Sequence, residues 1–146
     1  MAEAHRVLRA GGKLGFTVWA QPEQAVGFGM VLRAIQNHGN MHVPLPPGPP
    51  FFRFSDPAEC RRTLLEAGYV APQVMLVPQT WRLRSPDVLC EIMQESTVRT
   101  AGLLRVQTPE ALQAIRAALR DAVRSYQKAD TIELPMPAVL ATAIKR

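Results

Sequence analysis

His5, His38 and His42 invite a metal reading, but their spacing matches no zinc pattern, and neither a cysteine pair nor an H-E-x-x-H run accompanies them. They read as surface histidines, and no metal site is expected. Cys60 and Cys90 are isolated from one another, each inside a predicted helix on a largely apolar face, and read as buried thiols in a reducing compartment. Neither has an activating partner legible in the sequence. The serines fall at helix starts or in loops and no G-x-S-x-G elbow occurs, so no catalytic nucleophile can be named. The remaining cluster is Phe51-Phe52-Arg53-Phe54, three rings and a guanidinium directly before a helix start. Such a cluster either lines an apolar pocket, with Arg53 as a handle for an anionic group, or serves as a hydrophobic staple.

The elements that must carry these residues fit one domain of 146 residues, in which roughly two-thirds of the unfolded surface can be buried. An apolar fraction of 47% with 20% charged residues is that of an ordinary globular protein. Seventeen basic against twelve acidic residues give a net charge of +5, which raises the question of an anionic partner. The Lys and Arg residues are scattered and no aromatics alternate with them, so nucleic acid is not expected. No signal-peptide pattern and no apolar run of about 18 residues is present, so no membrane association is expected and the predicted location is cytoplasmic.

Periodicity predicts a helix over residues 2–10, ended by Gly11, and a strand over 13–19 with both faces covered. A helix over 22–37 follows, weakened by about 1 kcal/mol at each of Gly27 and Gly29. Residues 38–50 carry five prolines and are read as a loop. Asp56, Pro57 and Glu59 supply the cap, first position and capping-box partner of a helix that Gly68 stops, burying Cys60, Leu64 and Ala67 or Leu65. Residues 69–83 read as one strand that Pro78 bends or places at an edge. Helices are expected from Ser85-Pro86 to about 95 and from Thr108-Pro109 to about 128. The latter has Leu112, Ile115, Leu119 and Val123 on one side and a solvated row of Arg116, Arg120 and Arg124 on the other. Residues 131–144 read as a last strand, interrupted by Pro135 and Pro137.

Two segments carry a family resemblance. Residues 3–19, EAHRVLRAGGKLGFTVW, resemble the "E..RVLKPGG.L....W" segment of class I S-adenosylmethionine-dependent methyltransferases, in the group that methylates small molecules and lipids. Arg6, Val7, Leu8, Gly11 and Gly12 match, whereas Ala10 stands where proline is usual. Residues 54–70, with Phe54, Asp56, Leu64, Ala67-Gly68-Tyr69 and Val70, resemble the family's "F.D...L...L..AGF..V" segment. The resemblance implies an α/β fold with part of a Rossmann-like sheet. Residues 13–19 stand for strand five, 74–83 for strand six, and the C-terminal extended segment for strand seven, antiparallel between the other two. Residues 85–128 are then a helical insertion within a single domain, 1–146.

The resemblance covers the second half of the family's domain, whereas the family's cofactor-binding residues lie mainly in the first. Gly27-Phe28-Gly29 falls in a predicted helix and lacks the strand–turn–helix context of a cofactor loop. S-adenosylmethionine is thus the cofactor of the parent family, no cofactor-binding residue is assigned, and this chain alone is not expected to bind it. The strand at 13–19 is expected to lack its parallel partner, and its free edge predicts a homodimer or higher oligomer. By the same resemblance, substrate-side residues belong at the C-terminal end of that strand, which nominates Trp19, alternatively a core aromatic. Phe51, Phe52 and Phe54 then line an apolar acceptor pocket with Arg53 beside it. The function implied is methyl transfer to a small molecule, with a noncatalytic oligomeric binding module as the alternative.

Overall fold

The computed structural model describes all of residues 1–146. It is mixed α/β, and the chain divides into two compact units, the first formed by Met1–Gln21, Phe52–Gln79 and Pro137–Arg146, the second by Pro22–Phe51 and Thr80–Met136.

In the first unit, α1 (Ala2–Val7) stops earlier than the predicted residue 10, because Leu8 turns to extended backbone and a side chain from the far end of the chain takes over its carbonyls. Lys145 Nζ donates to the carbonyls of His5 and Leu8, both at 2.7 Å, and to that of Arg6 at 3.4 Å. Gly11, at φ +73°, then reverses the chain, and its N–H donates to the Lys145 carbonyl at 2.8 Å. Replacing Lys145 by Met is expected to leave three helix-end carbonyls without this donor and to cost about 1–3 kcal/mol. Faster amide hydrogen exchange across residues 5–12 than elsewhere in the unit is the check; uniform exchange would show that the lysine does not hold this corner.

From that corner β1 (Lys13–Trp19) runs antiparallel to β6 (Ala138–Lys145), with Phe16 opposite Ala141. On its other side β6 pairs antiparallel with β2 (Tyr69–Val77), where Val74 opposes the same Ala141. The order is therefore β1-β6-β2, with the last strand of the chain in the middle. The helix α3 (Pro57–Glu66) begins as its residues dictate, with Asp56 Oδ1 accepting from the Ala58 N–H at 2.9 Å and Pro57 in the first turn. The expected capping-box role of Glu59 is not what forms. Its carboxylate instead accepts from Arg62 and Arg53, at 2.6 Å each, which hold it below the usual carboxylate range.

Cys60 and Leu64 of α3 meet Tyr69, Ala141 and Ala143 in a core that Leu14, Phe16, Phe54, Ala67 and Val74 border. Ala67, not the exposed Leu65, takes the third inward position. These packing partners occupy one side of the sheet. Along β1, Lys13, Gly15 and Thr17 are exposed and alternate with the half-buried Leu14, Phe16 and Val18, which corrects the expectation of two covered faces.

The second unit holds α2 (Val26–His38), α4 (Asp87–Ser96), α5 (Arg99–Arg105) and α6 (Pro109–Val123) with a small antiparallel sheet, β3-β5-β4. The single strand expected over 69–83 is in fact two: β2 ends at Val77, and β3 (Thr80–Leu83) pairs in the other sheet, with Trp81 opposite Leu134. The single strand expected over 131–144 is likewise β5 (Thr131–Pro135) and β6. Both breaks fall at prolines, Pro78 and Pro137, which cannot donate to a ladder. The helix expected to reach residue 128 ends at Val123, passes through one 3-10 turn (Arg124–Tyr126), and gives way to β4 (Gln127–Lys128).

Three helices, not two, fill residues 85–128. The seven-residue α5 escapes detection because its Gly102 gives little propensity and its stability comes from packing: Ala101 and Leu104 are buried, and Leu45 of the proline-rich stretch lies over Gly102. Its first turn is also tied back by Thr97, whose Oγ1 accepts from the Ala101 N–H and donates to the Met93 carbonyl. Both cysteines are free and buried. Burial pushes each thiol above its ordinary value, partly offset at Cys90 by the Arg116 guanidinium.

Glu133 on β5 ties the small sheet together, accepting from Lys128 on β4 at 2.9 Å and from Arg82 on β3 at 3.1 Å. Lys128 first and Arg82 second hold its carboxyl below the ordinary glutamate value. A carboxylate with a folded value below its unfolded one stabilises at neutral pH, and that contribution is lost as pH falls through the folded value. Glu133→Gln is therefore expected to flatten the acid limb of stability below about pH 4.5, most visibly at low salt. An acid limb identical to that of the parent protein would show that the two cations contribute nothing.

Candidate functional site

The C-terminal end of β1 is the place where candidate residues converge. Here the strand is anchored by three contacts within its own unit. Ser55 Oγ donates to the Trp19 carbonyl at 2.6 Å, the Ala20 N–H donates to the Pro137 carbonyl at 3.0 Å, and Gln21 Nε2 donates to the Phe52 carbonyl at 3.4 Å. Ser55 closes the 3-10 turn Arg53–Ser55 that leads into α3 and is 5% exposed, so its hydroxyl works as an internal clamp. Sequence reasoning passed over it as one more serine near a helix start; the F-S-D-P run, a buried-type position before an Asp cap, is the available signal.

Beside this clamp a shallow cavity of about 220 Å³ is lined by Thr17, Val18, Trp19 and Ala138. It presents an indole, two small aliphatic groups and one hydroxyl, and no side chain in it titrates near neutral pH. Such a surface can hold an apolar or aromatic group by contact and orient it through Thr17. The Thr17 hydroxyl is its one side-chain hydrogen-bond acceptor.

None of the other nominated residues lines it. Phe54 packs edge-on against Phe16 at 5.8 Å and joins the core of the first unit. Arg53 lies over the Phe54 ring at 5.2 Å and pairs with Glu59 at 2.6 Å, so its charge is already answered within the protein. Phe52 flanks the same 3-10 turn and offers its carbonyl to Gln21. Phe51 belongs to the other unit, where its ring meets Phe28 at 5.7 Å. Trp19, Phe52, Arg53 and Phe54 thus share one unit, and Phe51 does not.

No histidine lines the cavity. His5 meets the edge of Tyr69 at 4.9 Å, His38 ends α2, and the His42 N–H donates to Asn40 Oδ1. No group of three or more His, Cys, Asp or Glu side chains is placed to hold a metal ion. No helix is long and apolar enough to cross a membrane.

The glycine pair in α2 packs closely against protein. A Cβ at Gly27 would lie 2.9 Å from Met136 Sδ, which already accepts from the Gly27 N–H, and one at Gly29 would lie 2.5 Å from the Pro22 carbonyl oxygen. The space a phosphate- or ribose-binding glycine leaves for a ligand is filled here by protein. Gly27 and Gly29 therefore form no ligand cradle. No family model matches the chain, and no curated protein matches it either.

Proposed function

We propose that this chain is the acceptor-side half of a class I S-adenosylmethionine-dependent methyltransferase fold acting on a small molecule. On this reading the cofactor-binding residues are supplied from outside these 146 residues. The observation that supports it best is the strand order β1-β6-β2, with the final strand antiparallel between two strands that run parallel to each other. That is the arrangement the two resembling segments imply for strands five, seven and six. The cavity at Trp19 lies at the C-terminal end of β1, the side where open α/β sheets receive ligands.

The role of the chain in this reading is positional. Trp19 and Val18 give the acceptor an apolar contact, Thr17 offers one hydrogen bond, and the Ser55 clamp keeps the strand end from moving. Titration calorimetry of the purified chain with S-adenosylmethionine and S-adenosylhomocysteine tests the reading. No heat from the chain alone, and binding once the missing residues are supplied, is the expected result. Tight binding by the chain alone would overturn the division of labour.

A second reading, a noncatalytic oligomeric module built on the same fold, is favoured by the position of β1 at the margin of its sheet. The ladder groups on its outer side can pair with a second copy. A dimeric mass by light scattering at micromolar concentration, unchanged by S-adenosylmethionine, is the outcome that selects it; a monomer rejects it.

A further inference from the structure

Along α6 of the second unit the structure departs from the solvated arginine row that its sequence suggests. Arg124 is exposed and pairs with Asp121 at 3.2 Å, and Arg120 pairs with Asp87 of α4 at 2.8 Å. Arg116, unlike those two, is half-buried. One of its terminal nitrogens donates to Gln94 Oε1 at a long 3.4 Å, and its buried Nε–H has no acceptor at all. No carboxylate lies within 4 Å of this guanidinium, since Asp87 already serves Arg120.

The partners of this half-buried guanidinium, Gln94 and the Cys90 thiol, are both neutral, and a cation held by neutral groups favours an anion at its accessible terminal nitrogens. An open groove of about 370 Å³ runs along the same helix face, lined by Pro109, Leu112, Gln113, Arg116 and Arg120. Its cationic end comes from Arg116 and, one turn on, from Arg120, which shares its charge with Asp87, and Leu112 and Pro109 give it apolar surface. The cleft between α2 and the end of α6 differs in that a carboxylate, Glu23, lines it together with Arg33.

We propose that the α6 groove binds a small amphiphilic oxyanion. Its carboxylate or phosphate is taken by Arg116 and Arg120, and its short apolar body lies on Leu112 and Pro109. Guanidinium forks suit such oxyanions because two parallel N–H donors match two oxygens. This site is independent of the β1 cavity and of the methyltransferase reading.

The test uses the whole chain and three probes: octanoate, inorganic phosphate, and octan-1-ol. Octanoate is expected to shift the Arg116 Nε–H resonance and the backbone amides of Leu112 and Gln113 in a saturable way, measured at constant ionic strength. Phosphate, with the head group alone, shifts the same Arg116 signal more weakly, and octan-1-ol leaves it unmoved. Arg116→Gln and Arg120→Gln should each weaken octanoate by about tenfold or more. An Arg116 signal that does not respond to octanoate overturns the proposal without requiring any variant to fold. So does octanoate binding that is equally tight in Arg116→Gln, or octan-1-ol shifting the same amides as strongly.

Discussion

Replacing Leu64 by alanine is expected to destabilise the first unit by about 3 kcal/mol, within the ~2–5 kcal/mol range for emptying a buried leucine site. Leu64 is fully buried, and the β6 residues it meets, Ala141 and Ala143, are already small. Neither can swing a longer side chain into the space, so the cavity should persist. Cys60 on the same helix face is committed as well, its Sγ donating to the Phe54 carbonyl at 3.0 Å. The check is a lower urea midpoint at unchanged slope, beside Leu65→Ala on the same helix. Leu65 is 55% exposed, and its replacement should stay within about 0.5 kcal/mol. Equal effects at the two positions would mean that α3 is turned on its axis relative to the arrangement described.

The second large effect reverses a rule. In an ordinary helix interior, glycine to alanine stabilises by about 1 kcal/mol. At Gly29 it is expected to destabilise by about 2 kcal/mol or more, because the new Cβ would sit 2.5 Å from the Pro22 carbonyl oxygen. That neighbour is backbone, so relief requires moving the turn that leads into α2. Gly15→Ala, where the nearest atom to the added Cβ is Thr142 Cγ2 at 3.7 Å, should be close to neutral and serves as the control. A stabilised Gly29→Ala protein would show that the turn at Pro22 yields easily and that Gly29 is there for another reason.

These two predictions mark the line between what was legible and what was not. Helix starts were readable because a cap is a contact across two or three residues: Asp56 to Ala58, and Thr108 Oγ1 to the Ala111 N–H at 3.2 Å. The strand over 13–19 and the buried thiols were readable for a related reason, since β-branched and apolar composition already favours those environments. The chain breaks near Pro78 and Pro137 were visible as prolines, though not as points where the chain leaves one sheet for another.

Of the residues nominated from the sequence, Trp19 lines a cavity, while Ser55, which clamps it, was passed over and Arg116, which faces the α6 groove, was read as solvated. Periodicity says which side of a helix a residue occupies, not whether a neighbouring helix supplies its counter-charge. Arg116, Arg120 and Arg124 share a stripe, yet Asp87 from α4 answers Arg120, Asp121 within α6 answers Arg124, and Arg116 is left with Gln94.

By itself, then, the sequence determined the local elements: the caps, the glycine and proline punctuation, and the apolar faces of α3 and α6, all set by groups a few residues apart. Tertiary structure alone decided that residues 80–83 pair with 132–135 in a second sheet, that Lys145 closes the end of α1, that Met136 Sδ fills the space at Gly27, and that Arg116 lacks a counter-charge. Each of those depends on groups distant in the chain, from 22 residues between Gln94 and Arg116 to 140 between His5 and Lys145. Such partners are chosen by the packing of the whole chain, which no short window of residues encodes.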